Sequence, residues 1–196
     1  MNGIILSLTL TLSMWTSLAA AAPVTLDKAK GKTEFLAVVK PSGIRINGRG
    51  VGPEGTLDLK KDGANFLLSG SVEMDVASFD TGMSLRNNHM KEKYLEVEKF
   101  PKATLVINDV KVTKEMLASG GDLKFPATLK LHGVDKPVDV SMNLANDGDM
   151  VKAVSKFKVK ISEFNIEKPT FSGITVSDEV EVSTEAQFKK SELSVM

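Results

Sequence analysis

The sequence predicts an all-β fold, a barrel or sandwich of about eight antiparallel strands with little helix. Apolar residues recur at every second position through most of the chain, the period of a strand with one dry and one wet face. Asp-Gly and Asn-Asp-Gly-Asp stretches separate these runs, and helical spacing is confined to two short segments.

The clearest strand is 66–76, where the even positions are apolar or Gly and the odd ones, after Leu67, are polar. Val138, Val140, Met142 and Leu144 alternate with Asp139, Ser141 and Asn143. Phe157, Val159 and Ile161 alternate with lysines, and Val180 and Val182 with Glu179, Glu181 and Ser183. Shorter versions occur at Ile44/Ile46, Leu57/Leu59, Leu105/Ile107 and Leu129/Leu131. Asp62-Gly63 and the stretch 146–149 supply the positive φ angles of tight hairpins, so neighbouring strands run antiparallel. Residues 113–119, closed by Gly120-Gly121, have room for one or two helical turns capped by Thr113. The longest stretch without strand pattern, Asp80 to Pro101, carries Met90, Tyr94 and Leu95 at helical spacing, so one short helix ending against Pro101 is expected there.

The chain of 196 residues opens with an apolar run, Ile4 to Leu18, followed by Ala19 to Ala22 and Pro23. This is the layout of a secretory signal peptide, residues 1–21 with cleavage after Ala21, leaving 22–196 as a single domain. The run is shorter than the ~20 residues a membrane-spanning helix needs. Formal net charge is +0, from 25 basic and 25 acidic side chains, which leaves no overall electrostatic footprint for nucleic acid or an anionic membrane. Cys is 0, so disulfides, thiolate metal sites and cysteine nucleophiles are all excluded. Period two alone does not say which face is wet. Aromatics are 6%, the single Trp is Trp15 in the signal, and no interfacial girdle is present, so the apolar face is expected inside the barrel.

No nucleophile elbow, Gly-rich phosphate loop or zinc-protease histidine pair occurs, and Glu73 and Asp75 fall on the wet face. No enzyme activity is expected. His89 and His132 are the only histidines, too few for a metal centre, and both are assigned hydrogen-bonding roles. His132, on the opposite phase from Leu129 and Leu131, is expected outside the barrel. The oxygen-rich stretch 146–149 lacks the ligand spacing of a calcium loop and reads as a hairpin turn.

The segment Ser78-Phe79-Asp80-Thr81-Gly82-Met83-Ser84-Leu85-Arg86-Asn87-Asn88-His89-Met90, followed by Tyr94 to Pro101, resembles the signature of the YceI-like family. Residues 129–138, 164–169 and 176–182 are similar to further family stretches in the same order, so the likeness covers nearly the whole chain after the signal. The resemblance implies an eight-stranded, lipocalin-like barrel, usually exported to the periplasm, enclosing a polyisoprenoid, polyprenyl quinone or other long amphipathic molecule. Two departures stand out. Asn87 replaces the family's Asp, and Lys93-Tyr94-Leu95 replaces an acidic-aromatic-aromatic stretch.

Composition leaves open whether an eight-stranded barrel is filled or holds a ligand, and the resemblance favours a cavity. The expected ligand-binding residues are Val72, Met74, Val76, Leu105, Ile107, Leu129, Leu131, Val140, Met142, Phe157, Val159 and Ile161, with Arg86 and Met90 at the mouth. Arg86 has two readings, a brace bonded to loop carbonyls or Asp80, or a contact to an anionic head group. The expected partner is an amphipathic lipid in the periplasm or medium, without cofactor, metal, nucleic acid or stable membrane insertion, and a homodimer is admitted. The alternative is a solid-core barrel acting as a secreted interaction or adhesion module.

Overall fold

Alternation becomes strand in every run described above, with only Ile44, Val76 and Ile161 falling just beyond the strand ends. The structure, a computed structural model, describes residues 23–171 and 173–193. The expected signal segment lies outside the described residues.

The strands are β1 (Val24–Leu26), β2 (Lys32–Lys40), β3 (Arg45–Val51), β4 (Glu54–Asp62), β5 (Asn65–Asp75), β6 (Lys102–Thr113), β7 (Gly121–Leu131), β8 (Val134–Asp147), β9 (Met150–Lys160), β10 (Thr170–Phe171), β11 (Ile174–Val176) and β12 (Glu179–Lys189). Eight of these, β2, β4 to β9 and β12, run nine residues or more; seven of them are among the runs read from the sequence, whose eighth, Ile44/Ile46, belongs to the shorter β3, while β2 was not expected. The shorter strands complete the edges. The order is β1-β4-β5-β6-β7-β8-β9-β12-β2-β11-β10, with β3 on the other side of β2, and every pairing is antiparallel. Gly63 and Gly148 sit in two-residue hairpins at φ 60 and φ 57, the left-handed region that Asp-Gly and Asn-Asp-Gly turns require.

The sheet curls into a barrel by sharing one stretch of wall between two strand pairs. β2 meets β12 only between Glu181 and Glu185, so β2 and β3 wall the end of the barrel where β12 begins. The edge of β3 is tied to the segment after β5 by paired backbone bonds, Arg49 N–H to Asp80 O at 2.9 Å and Asp80 N–H to Arg49 O at 2.8 Å. At the other end β4 and β1 take over, with β1 lying against β12.

That second end is packed solid. β6 and β7 pair only between Thr104–Val106 and Thr128–Lys130, and α1 (Lys114–Ser119) fills the gap beyond, burying Leu117. Thr113 caps it as expected, its Oγ1 accepting the Met116 N–H at 3.2 Å. Phe66, Leu68, Val110, Val112, Phe125, Leu144, Val151 and Phe188 pack beside it, and the outward residues of the same strands are mostly polar, with Leu67, Val106 and Val154 among the exceptions.

The long connection between β5 and β6 forms helix over Ser84–Asn88 and continues as a π-helical segment, His89–Tyr94; the pair is called α2 below. It stops short of Pro101. The Leu95 and Val97 N–H groups fold back onto the carbonyls of Met90 and Lys91, with Glu96 left-handed at φ 43, so a local C-terminal turn and not the proline ends the helix.

Among the described residues two buried side-chain oxygens are unmatched, Asn146 Oδ1 and the hydroxyl of Thr33. Thr33 on β2 is 1% exposed, faces Thr184 across the β2–β12 ladder, and its hydroxyl has no hydrogen-bond partner. Thr33→Val keeps the shape and removes that desolvated oxygen, so it is expected to stabilise the fold by about 1 kcal/mol. This corresponds to a melting temperature about 2–4 °C higher by calorimetry. A lower melting temperature would show that the hydroxyl is satisfied.

Candidate functional site

The end of the barrel opposite α1 is not filled. Small and medium side chains at the strand ends leave a cavity of about 740 Å³. Its walls are Met74 at the end of β5 and Val76 just after it, Ala103 on β6, Leu129 and Leu131 on β7, Phe157 and Val159 on β9, Val180 and Val182 on β12, and Phe35, Ala37 and Val39 on β2. α2 and the β10–β11 hairpin form the rim. Phe35, Leu131, Val180 and Val182 are inward yet only partly buried, which shows that the space is reached by solvent. Phe35 packs edge-on against Phe79, ring centroids 5.1 Å apart, and lies directly over Gly48, where any Cβ would drive into its ring.

Polar groups are few: Thr170 and Thr175 stand on the β10–β11 side of the rim, and the charged groups are gathered on α2. Arg86 and Lys93 carry the only formal charges on the lining, with His89, Thr81 and Tyr94 nearby and no Asp or Glu. Arg86 is a brace. Its Nε donates to Thr81 Oγ1 at 2.8 Å and its Nη2 to the Thr81 carbonyl at 2.7 Å. Two of its five N–H groups are used in this way, and no carboxylate pairs with it among the described residues. Lys93 Nζ lies 5.3 Å from the Tyr94 ring centre.

The departure at Asn87 has a structural reason. Its Oδ1 accepts from the N–H and the hydroxyl of Thr81, while its Nδ2 donates to Asp80 Oδ1 at 2.6 Å. An Asp could accept but not donate, and would face the Asp80 carboxylate. The Gly82 N–H and then the Asn87 amide hold the Asp80 carboxyl below its usual range.

The far end of the connection is pinned separately. Lys99 and, more weakly, His132 lower the Glu96 carboxyl. His132 corrects the sequence expectation. It is a left-handed turn residue at φ 51, its side chain only 9% exposed, with Nδ1 3.1 Å from the Phe164 carbonyl and Nε2 3.0 Å from Glu96 Oε2. The Phe100 ring covers it at 4.5 Å. It staples the rim rather than lying free outside the barrel. Among the described residues no group of three or more His, Asp or Glu could hold a metal ion.

Of the residues expected to contact a ligand, Met74, Val76, Arg86, Met90, Leu129, Leu131, Phe157, Val159 and Ile161 line the cavity. Val76 and Ile161 do so from short 3-10 turns, because β5 ends at Asp75 and β9 at Lys160. Val72, Leu105, Ile107, Val140 and Met142 instead belong to the packed core below it. Alternation identified the inward face but not how deep the empty part extends. The β2 wall was missed because Leu36 and Val38, on its other face, are apolar too and blur the period-two pattern around Phe35, Ala37 and Val39. β10 and β11 are too short to show a period.

An antiparallel barrel, packed at one end and open into an apolar cavity at the other, defines a lipocalin-like architecture. The chain belongs to the YceI-like domain family, whose model matches residues 24–188. It is 32% identical over 118 residues to protein YceI of Salmonella arizonae and 30% identical over 118 residues to a UPF0312 protein of Enterobacter sp. (strain 638). Each match covers 57% of this chain and 57% of the relative, so the likeness spans little more than half the length of these curated proteins. The fold is shared with BcnA of Burkholderia cenocepacia, at TM-score 0.66 and 23% identity over 84% of this chain and 99% of that one. It is also shared with a polyisoprenoid binding domain from Saccharophagus degradans, at TM-score 0.64 and 18% identity over 87% and 98%.

Proposed function

We propose that the protein is an exported carrier that holds the hydrocarbon chain of an amphipathic lipid in the barrel end, with the head group at the α2 rim. The observation that carries this is the cavity of about 740 Å³ with aliphatic and aromatic walls and no carboxylate. Such a space favours a ligand that gains from burial of length, about 0.8 kcal/mol per methylene, and needs no chemical step. A polyisoprenoid, polyprenyl quinone or fatty-acid chain fits this description, and the polyisoprenoid binding domain of Saccharophagus degradans supports it through the shared fold. Transport, storage or protection of that lipid in the periplasm or medium is the role we assign. The solid-core reading has less support, because only one end of the barrel is filled.

Mass spectrometry of organic extracts from the purified protein is expected to find a stoichiometric prenyl or acyl lipid. Repeated lipid-free extracts, with no uptake of added polyprenyl compounds, would remove the reading. The head-group side has its own test. The Arg86 N–H groups that Thr81 does not occupy suit a phosphate or carboxylate better than a neutral quinone. Arg86→Ala is therefore expected to weaken a fatty-acid or prenyl-phosphate ligand about tenfold and a quinone little, one lost charge-assisted bond. Titrations are run below the variant's melting transition, since its brace to Thr81 is lost as well. Equal weakening of both ligands would confine Arg86 to the brace.

A further inference from the structure

Five large apolar side chains are strongly exposed among the described residues: Ile44, Val51, Met83, Leu85 and Ile174. Scattered exposed apolar residues are ordinary, but four of these five, all except Val51, line the same cavity mouth. They come from three separate segments, the β2–β3 turn, the start of α2 and the β10–β11 hairpin. The β2–β3 turn with its flanking residues and α2 carry Lys40, Arg45, Arg86, Lys91 and Lys93 against the single acid Glu92, and Lys168 stands just before the hairpin, next to Glu167. None of the six cations forms a salt bridge among the described residues, whereas about half of the lysines and arginines elsewhere on the barrel do. Lys91 and Lys168 act on a carboxylate at longer range, Asp80 and Asp178, and both of those acids are already hydrogen-bonded within the rim. The net charge of +0 hides this asymmetry and does not exclude an anionic surface, as the sequence alone suggested.

We infer that the mouth docks on an anionic lipid bilayer, with Ile44, Met83, Leu85 and Ile174 entering the interface and the surrounding cations facing lipid phosphates. The inference rests on the carrier reading above for its purpose, since a docked mouth joins the cavity to the bilayer without passing a lipid chain through water. The geometry suits this occupant. Apolar tips inside a basic ring match the layered polarity of a membrane interface. A second copy is disfavoured, because mouth-to-mouth contact would bring two unpaired cationic rims together.

The chain has no cysteine, so one introduced thiol gives one label. Ser42→Cys places a nitrobenzoxadiazole dye beside Ile44 at the mouth, and Asp149→Cys places it in the hairpin between β8 and β9 at the opposite end. With vesicles of equimolar phosphatidylglycerol and phosphatidylcholine, the Ser42 label is expected to shift to the blue and brighten while the Asp149 label stays unchanged. Leu85→Glu, or Lys91→Glu with Lys93→Glu, weakens vesicle partition about tenfold. Raising salt from about 0.1 M to about 1 M, which shortens the Debye length from about 10 Å to about 3 Å, also reduces it. A response at Asp149, an equal response to pure phosphatidylcholine, or a Ser42 response that rises with protein concentration without vesicles overturns the inference, the last assigning the face to a second copy. A silent Ser42 label on protein whose extracts contain lipid overturns docking and leaves the carrier reading standing. A responding label on protein that yields no lipid and takes up no added polyprenyl compound supports docking and overturns the carrier reading.

Discussion

Ala37→Trp combined with Ala103→Trp is expected to empty the protein of lipid while leaving it folded. Both alanines are among the smallest residues on the cavity wall, 4% and 6% exposed, one on β2 and one on β6. Each indole would extend into space that is open, so the strain of overpacking, usually about 1–3 kcal/mol, is relieved by the cavity itself. The cost to a ligand is larger. If the two rings exclude only four methylenes of a bound chain, about 3 kcal/mol of burial is lost, a factor of about a hundred in affinity. Lipid recovered by extraction should fall below detection, and titration with a polyprenyl compound should show the weakened binding. A folded double variant that retains lipid at the original affinity would place the ligand elsewhere on the molecule.

Phe164→Ala is expected to be the most destabilising single truncation among the rim-supporting residues. Phe164 is 1% exposed at the end of the turn Ile161–Phe164 and packs in the main core. Its carbonyl, which faces His132 Nδ1, survives the substitution, so the effect isolates packing. Truncating a fully buried Phe costs about 3–5 kcal/mol, against a total of about 5–15 kcal/mol for a typical domain. The melting temperature should fall by about 6–20 °C. A loss below about 1 kcal/mol in denaturant titration would mean that the site collapses around the missing ring.

The strands were legible because each buries one face, and period two records this residue by residue. β8 shows it most plainly, with Val138, Val140, Met142 and Leu144 buried and the residues between them exposed. The turn residues Gly63 and Gly148 and the Thr113 cap were legible for a related reason, since each satisfies a backbone requirement within a few residues of itself. Asp80 to Pro101 was recognisable as an irregular connection at a barrel end. Its bonds were not recognisable, because Arg86 choosing Thr81, and Asn87 rather than Arg86 taking Asp80, depend on how the loop folds back on itself.

By itself the sequence determined the fold class, the inward face of most long strands and the family, because these follow from local periodicity and from motifs that lie together along the chain. Only the tertiary structure decided where that inward face stops being core and becomes cavity. Val72 and Met74 are equivalent in the alternation of β5, yet one is packed in the core and the other lines the open end. The difference is made by what stands across the barrel, α1 and the large core residues at one end, and Ala37, Ala103 and the solvent-reached rim at the other. The clustering of Ile44, Met83, Leu85 and Ile174 was hidden for the same reason: residues so far apart in the chain become neighbours only when the sheet closes on itself.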